Sequence, residues 1–141
     1  MTTEERERML EAAVEARANA YAPYSGFAVG AAALGSHGGI YAGCNVENAS
    51  YPVSLCAERG AIAMAVAAGE TGIDAVLILS DATQPCPPCG MCRQALAEFG
   101  PDMVVVMVGA EGAFRETTLR ALLPAAFGPG FLDDARSGSG R

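Results

Sequence analysis

The sequence predicts an α/β fold: a mixed five-stranded sheet with helices on both of its faces. Three observations predict it. Residues 75–80 and 103–108 are unbroken apolar runs, the mark of strands covered on both sides. A helical segment separates them, and a helical crossover makes such a pair parallel. Residues 27–35 and 40–46 are also strand-like, but only Ser36-His37-Gly38-Gly39 joins them, so they form an antiparallel hairpin.

The elements follow in chain order. Residues 3–20 read as a helix: Thr2 or Thr3 can cap it, glutamates load its first turn, and Met9, Leu10, Ala13, Val14 and Arg17 mark one stripe. Pro23 and Gly26 break it before the hairpin. Residues 47–55 are irregular and polar, with Pro52 inside. Residues 56–68 return to helix, alanine-rich with Ile62, Met64 and Val66, and Gly69 stops it. The first apolar run follows, then a loop with three prolines over 81–88 and a short helix from Cys89 or Gly90 to Phe99. After the second apolar run, a turn at 109–112 leads into a weak edge strand over 114–117. Its link is too short for a crossover, so it runs antiparallel. Thr117 or Thr118 caps a last helix that Pro124 ends. Residues 128–141, rich in Gly, Ser and Asp, read as a loosely ordered tail. No repeat or linker divides the chain, so residues 1–141 are expected to form a single domain.

Composition narrows the function classes. The 141 residues are 51% hydrophobic and 18% charged, which excludes a disordered chain. So low a charged content in a small chain suggests surface covered by other subunits. The net charge is −7 and all nine basic residues are arginine, with no basic cluster. A nucleic-acid polymer is therefore not an expected partner, and a small neutral substrate fits better. Residues 2–8 are charged, no apolar leader follows and no stretch reaches the length of a membrane span, so a cytoplasmic location is expected. Five cysteines in a reducing compartment point to metal or catalysis before disulfides.

Three of those cysteines are organised. Cys89 and Cys92 stand i, i+3 at a helix start, so their sulfurs share a face; Cys-x-x-Cys is a common zinc half-site, although redox pairs share it. Cys56 also opens a helix, where the partial positive charge of the helix end favours thiolate. Three thiolates on one zinc ion leave a fourth position open for water, the catalytic arrangement. They also leave one excess negative charge. Arg59 and Arg93 each closely follow a ligand and can donate hydrogen bonds to its sulfur, offsetting that charge; the alternative is two surface arginines. Glu58, two residues from Cys56 in an apolar helix, needs a partner or a task. Beside a metal-activated water it can carry protons.

These residues carry a resemblance. Cys56-Ala57-Glu58 followed by Pro88-Cys89-x-x-Cys92 matches the zinc deaminase signature, in the version with cysteine as first ligand. Tyr21-Ala22-Pro23-Tyr24-Ser25, Phe27-x-Val29-Gly30-Ala31-Ala32, Gly43-Cys44-Asn45-Val46-Glu47-Asn48 and Leu122-Leu123-Pro124-x-Ala126-Phe127 extend it over roughly residues 10–128. The chain resembles the small, homotetrameric cytidine deaminases of pyrimidine salvage. The resemblance implies a three-layer α/β/α fold and one zinc per chain on Cys56, Cys89 and Cys92. It implies hydrolysis of cytidine and 2′-deoxycytidine to the uridines plus ammonia: hydroxide generated at the zinc attacks C4 while Glu58 shuttles protons to N3 and to the departing amine. Asn45 and Glu47 would hold the ribose hydroxyls, as an amide and a carboxylate at i and i+2 of a strand end can. Phe27 would line the base, the backbone near Ala57 would bind the pyrimidine edge, and Phe127 would reach a neighbouring subunit's active site.

One departure is Pro87, where the family often has serine; it removes a hydroxyl and a backbone N–H from the loop that presents Cys89. Cys86 forms a further Cys86-x-x-Cys89 and competes as a ligand; Cys92 is favoured because it shares a helical face with Cys89. Cys44 reads as a small buried residue near the site, His37 as an exposed turn residue and not a ligand, and Met64, Met91, Met103 and Met107 as core or interface. Two other functions fit the metal motif: a related aminopyrimidine deaminase of the blasticidin type, and a non-enzymatic structural zinc or redox module.

Overall fold

The computed structural model describes residues 1–138. Five strands, β1 (Val29–Gly35), β2 (Ile40–Cys44), β3 (Ile73–Ser80), β4 (Val104–Val108) and β5 (Phe114–Thr118), form one sheet ordered β2-β1-β3-β4-β5. β3 and β4 are parallel, and the other neighbouring pairs are antiparallel. The helices are α1 (Thr3–Ala18), α2 (Ala57–Ala67), α3 (Gly90–Ala97), α4 (Leu119–Leu122) and α5 (Pro129–Ser137), with a 3-10 turn at Tyr51–Val53. The expected mixed sheet, hairpin and parallel crossover are all present.

Side chains alternate across the sheet with period two and build a core on each face. Ala31, Ala33, Val76, Ile78, Val105 and Met107 pack with Ala57, Ala61 and Ile62 of α2, Leu96 of α3 and Leu119 of α4. Ala32, Leu34, Ala75, Leu77, Val106 and Val108 pack on the other side with Met9 and Ala13 of α1. This is the three-layer α/β/α arrangement. Burying each Leu, Val, Ile or Met of these layers contributes about 1.5–3 kcal/mol.

Two glycines set how closely the layers approach. A Cβ on Gly30 would lie 2.0 Å from the Ala13 carbonyl oxygen, so α1 rests directly on the β1 backbone. A Cβ on Gly43 would lie 2.5 Å from the Ala61 nitrogen and 2.7 Å from the Ala57 oxygen, so the first turns of α2 rest on β2. That contact fixes the end of α2 that carries Cys56 and Glu58.

Helix ends follow their sequence signals. The Thr2 hydroxyl accepts from the Glu5 N–H at 3.1 Å, and the Glu5 carboxylate accepts from the Thr2 N–H at 2.7 Å, a reciprocal cap on α1. Thr118 caps α4 by accepting from Ala121 N–H at 3.2 Å. Some faces differ from expectation. Val14 points to solvent, because it lies off the stripe that Met9 and Ala13 turn toward the sheet. On α2, Ile62 is buried whereas Met64 and Val66 are exposed. Met103 and Met107 are core, and Met91 is exposed.

The reading of a loose tail from residue 128 needs correction. Residues Pro129–Ser137 form a helix, with Pro129 in its first turn and Phe131 stacked on Phe127 at 5.9 Å between centroids. Proline pre-sets the helical φ at such a position, and a composition reading misses it. The remainder of the expected tail, residues 139–141, lies outside the described residues.

Candidate metal centre and active site

Two helix starts meet at one point. Cys56 is the N-cap residue of α2, Cys89 is the N-cap residue of α3, and Cys92 sits one turn into α3. Their sulfurs all lie within 4.8 Å of one another. A tetrahedral thiolate set with Zn–S near 2.3 Å spaces its sulfurs about 3.8 Å apart, so the trio fits zinc with modest adjustment. Both helix N-termini direct partial positive charge at the thiols. A hydrogen bond from Cys92 and the nearby Arg59 hold the Cys56 thiol well below the usual range against the effect of burial. Cys92, fully buried, is pushed up as the donor to Cys56 and by burial.

Glu58 is 6% exposed, one residue into α2, with Oε2 3.4 Å from the Cys92 sulfur. Burial raises its carboxyl above the ordinary range, and the Cys56 charge adds to the shift. A raised carboxyl holds and releases protons closer to neutrality, as proton transfer requires.

The arginines diverge. Arg59 Nη2 lies 3.9 Å from the Cys56 sulfur and donates to the Ser54 carbonyl at 3.0 Å. The thiolate beside it raises its own pKa. Arg93 turns elsewhere: Nε donates to the Pro88 carbonyl at 2.8 Å and Nη1 to the Leu122 carbonyl at 2.9 Å. It ties the loop before Cys89 to the end of α4, because the i+5 spacing from Pro88 brings its guanidinium back over that loop.

A cavity of about 260 Å³ opens beside the thiols, lined among others by Phe27, Asn45, Glu47, Ala57, Glu58 and Cys89. Asn45 Oδ1 accepts from Val29 N–H at 2.9 Å and Nδ2 donates to the Phe27 carbonyl at 2.7 Å. Glu47 accepts from the N–H groups of Tyr24 and Ser25 at 2.9 and 3.0 Å and from the Ser25 hydroxyl. The Ser25 hydroxyl bond is the largest cause that lowers the Glu47 carboxyl, so the group is a carboxylate at neutral pH. Phe127 is not among the cavity residues. It is 57% exposed and lines a separate hollow near Pro101 and Arg120.

Cys86 lines the cavity instead of joining the sulfur trio, and burial pushes its thiol up. Cys44 is half-buried. His37 is exposed in the hairpin turn and bonds through Nδ1 to the buried Glu70 carboxylate at 2.8 Å. The sequence reading missed Ser25, Ile78 and Ser80 as cavity residues. The position of Ile78 and Ser80 near the carboxyl end of a central strand was the available signal, since such ends border clefts in α/β sheets.

A Cys-Ala-Glu helix start facing a Pro-Cys-x-x-Cys helix start defines a zinc deaminase. A family model for the "Cytidine and deoxycytidylate deaminase zinc-binding region" matches residues 3–108. The chain is 43% identical over 124 residues to a cytidine deaminase of Halalkalibacterium halodurans, covering 87% of this chain and 94% of the relative. It is 44% identical to a cytidine deaminase of Sporosarcina psychrophila, covering 86% and 90%. A crystal structure of cytidine deaminase from Burkholderia pseudomallei superposes with a TM-score of 0.83 at 45% identity, covering 90% of this chain and all of that one. The chain belongs to the cytidine and deoxycytidylate deaminase family.

Proposed function

We propose that this protein hydrolyses cytidine and 2′-deoxycytidine to uridine and 2′-deoxyuridine with release of ammonia. One observation carries the reading: a buried carboxyl with a raised pKa and two of three converging thiols, Cys56 and Cys89, line a cavity that also offers an aromatic ring, an amide and a carboxylate. Relatives named for cytidine deamination supply the substrate class.

Zinc, held by Cys56, Cys89 and Cys92 at one ion per chain, supplies a Lewis acid that makes water a nucleophile at neutral pH. The protein's residues do the rest. Glu58 takes up a proton and delivers it to ring N3, then carries another to the departing amine. Arg59 offsets the excess negative charge of the thiolates. Phe27 packs on the pyrimidine face, and the backbone at Ala57 meets its edge. Asn45 uses one lone pair and one N–H on its own chain. It keeps one of each for a sugar hydroxyl. Glu47 retains acceptor capacity for the same diol.

Exposed apolar side chains, among them Tyr51, Val53, Met91 and Phe127, support assembly into a homotetramer. In that assembly Phe127 completes a neighbour's site. Residues 1–141 act as a single domain in cytoplasmic pyrimidine salvage. No helix among the described residues is long and apolar enough to cross a membrane.

The test is ammonia release from cytidine by wild type and Glu58→Ala. Loss of a general acid–base should lower the rate by about 10²–10⁴-fold, with zinc content unchanged. Undiminished turnover in Glu58→Ala would remove Glu58 from the mechanism.

A further inference from the structure

The cavity wall at Phe27 is held by side chains, not by sheet pairing. The Phe27 N–H donates to the Ser25 hydroxyl at 3.0 Å, and its carbonyl accepts from Asn45. Val29 N–H donates to Asn45 as well. The N–H between them, on Ala28, donates to the Asp81 carboxylate at 3.1 Å. Ser25 and Asn45 face the cavity themselves. Asp81 reaches the wall from outside it.

Asp81 follows the last residue of β3 and opens the loop that runs to Cys89. Its other oxygen lies 3.4 Å from Nη1 of Arg17, which also donates to the Ser80 carbonyl at 3.1 Å. Arg17 belongs to α1, in the layer opposite the metal centre. It reaches this end of β3 because Gly30 lets α1 sit against β1: a Cβ on Gly30 would lie 2.9 Å from the Arg17 Cβ. The guanidinium is partly buried and the carboxylate half-exposed. A partly buried ion pair of this kind is screened less by solvent and salt than a fully exposed one.

We propose that Asp81, anchored by Arg17, is a positioning residue that fixes the Phe27 wall for the nucleoside and ties it to the start of the metal-binding loop. The inference rests on the deaminase reading above. The pair touches neither the metal ligands nor Glu58 in the contacts described, so it acts on substrate binding and not on proton transfer.

The test compares steady-state kinetics on cytidine for wild type, Asp81→Ala, Arg17→Met, Arg17→Lys and the Asp81→Ala/Arg17→Met double variant, with zinc content and Tm measured for each. Asp81→Ala and Arg17→Met should each raise KM about tenfold while kcat changes less than about threefold, the signature of lost binding without lost chemistry. Arg17→Lys should recover most of the KM, and the double variant should be no worse than Asp81→Ala, because the two act as a unit. Unchanged KM in both single variants overturns the proposal, as does a fall in kcat or zinc content at constant KM. If neither single variant folds while wild type does, the pair holds the fold and the proposal fails too. A wild type inactive on cytidine refutes the deaminase reading itself, a different result from any of these.

Discussion

At the scale of single residues, environment decides what each carboxylate does. Glu58 is buried next to thiols and its carboxyl is raised; Glu47 accepts three hydrogen bonds and is lowered. The same chemistry thus supplies a proton carrier and a fixed anion within one cavity. Glu70 is a third case, away from the site. Its side chain is 3% exposed and it accepts from the His37 N–H at 3.0 Å, the His37 ring at 2.8 Å and the Tyr41 hydroxyl at 3.1 Å. The backbone N–H of His37 is the largest of the causes that lower its carboxyl. A lowered folded-state pKa gives stability that is present above the unfolded carboxylate value, about 4.3, and is lost as pH falls through the folded value. Melting curves from pH 7 to pH 3 should therefore show a shallower acid-side fall in Tm for Glu70→Gln than for wild type. Equal slopes would mean that these hydrogen bonds do not favour the charged form. Glu58 announced itself in the sequence because one of the thiols, Cys56, stands two residues away at the start of an apolar helix. Glu70 did not, because its partners, His37 and Tyr41, come from the hairpin, 33 and 29 positions earlier.

At the scale of elements, helix ends and strand ends make the site. The sequence locates α2 and α3 well, since Cys56 and Cys89 occupy cap positions and local spacing sets which face Cys92 takes. The sheet was legible for a similar reason: β3 and β4 are continuous apolar runs, and four turn residues fix the hairpin. What local spacing does not contain is which loops meet. Arg93 looked like a second donor to sulfur, yet it braces the Pro88 carbonyl against the end of α4. Its predicted effect is on the metal loop. Arg93→Met should weaken zinc affinity, by at most the roughly 10–100-fold seen when a hydrogen bond to a ligand is lost, read by competition with a chromogenic chelator. An affinity equal to wild type would show that the Cys89 loop holds its shape without this clamp. The helix α5 escaped the sequence reading because its Gly, Ser and Asp content outweighs the few apolar residues that organise it.

At the scale of the whole molecule, two cores on one sheet hold the metal centre and the Phe27 wall in fixed relation, while many apolar side chains remain outside. Phe127, Phe131 and Leu132 are exposed together at the C-terminal end, and Tyr51 and Val53 in the 3-10 turn. In the proposed tetramer Phe127 completes a neighbour's site, so specific activity should fall as the protein is diluted through its dissociation range, in step with the loss of the large species in sedimentation. Monomers that keep full specific activity would refute a shared site. If a three-thiolate zinc centre deaminates the nucleoside, metal removal must abolish turnover. Ammonia release from cytidine should drop to background once metal analysis shows the chain free of zinc, and should return with about one zinc per chain. Turnover that persists in the zinc-free protein would exclude zinc from the reaction.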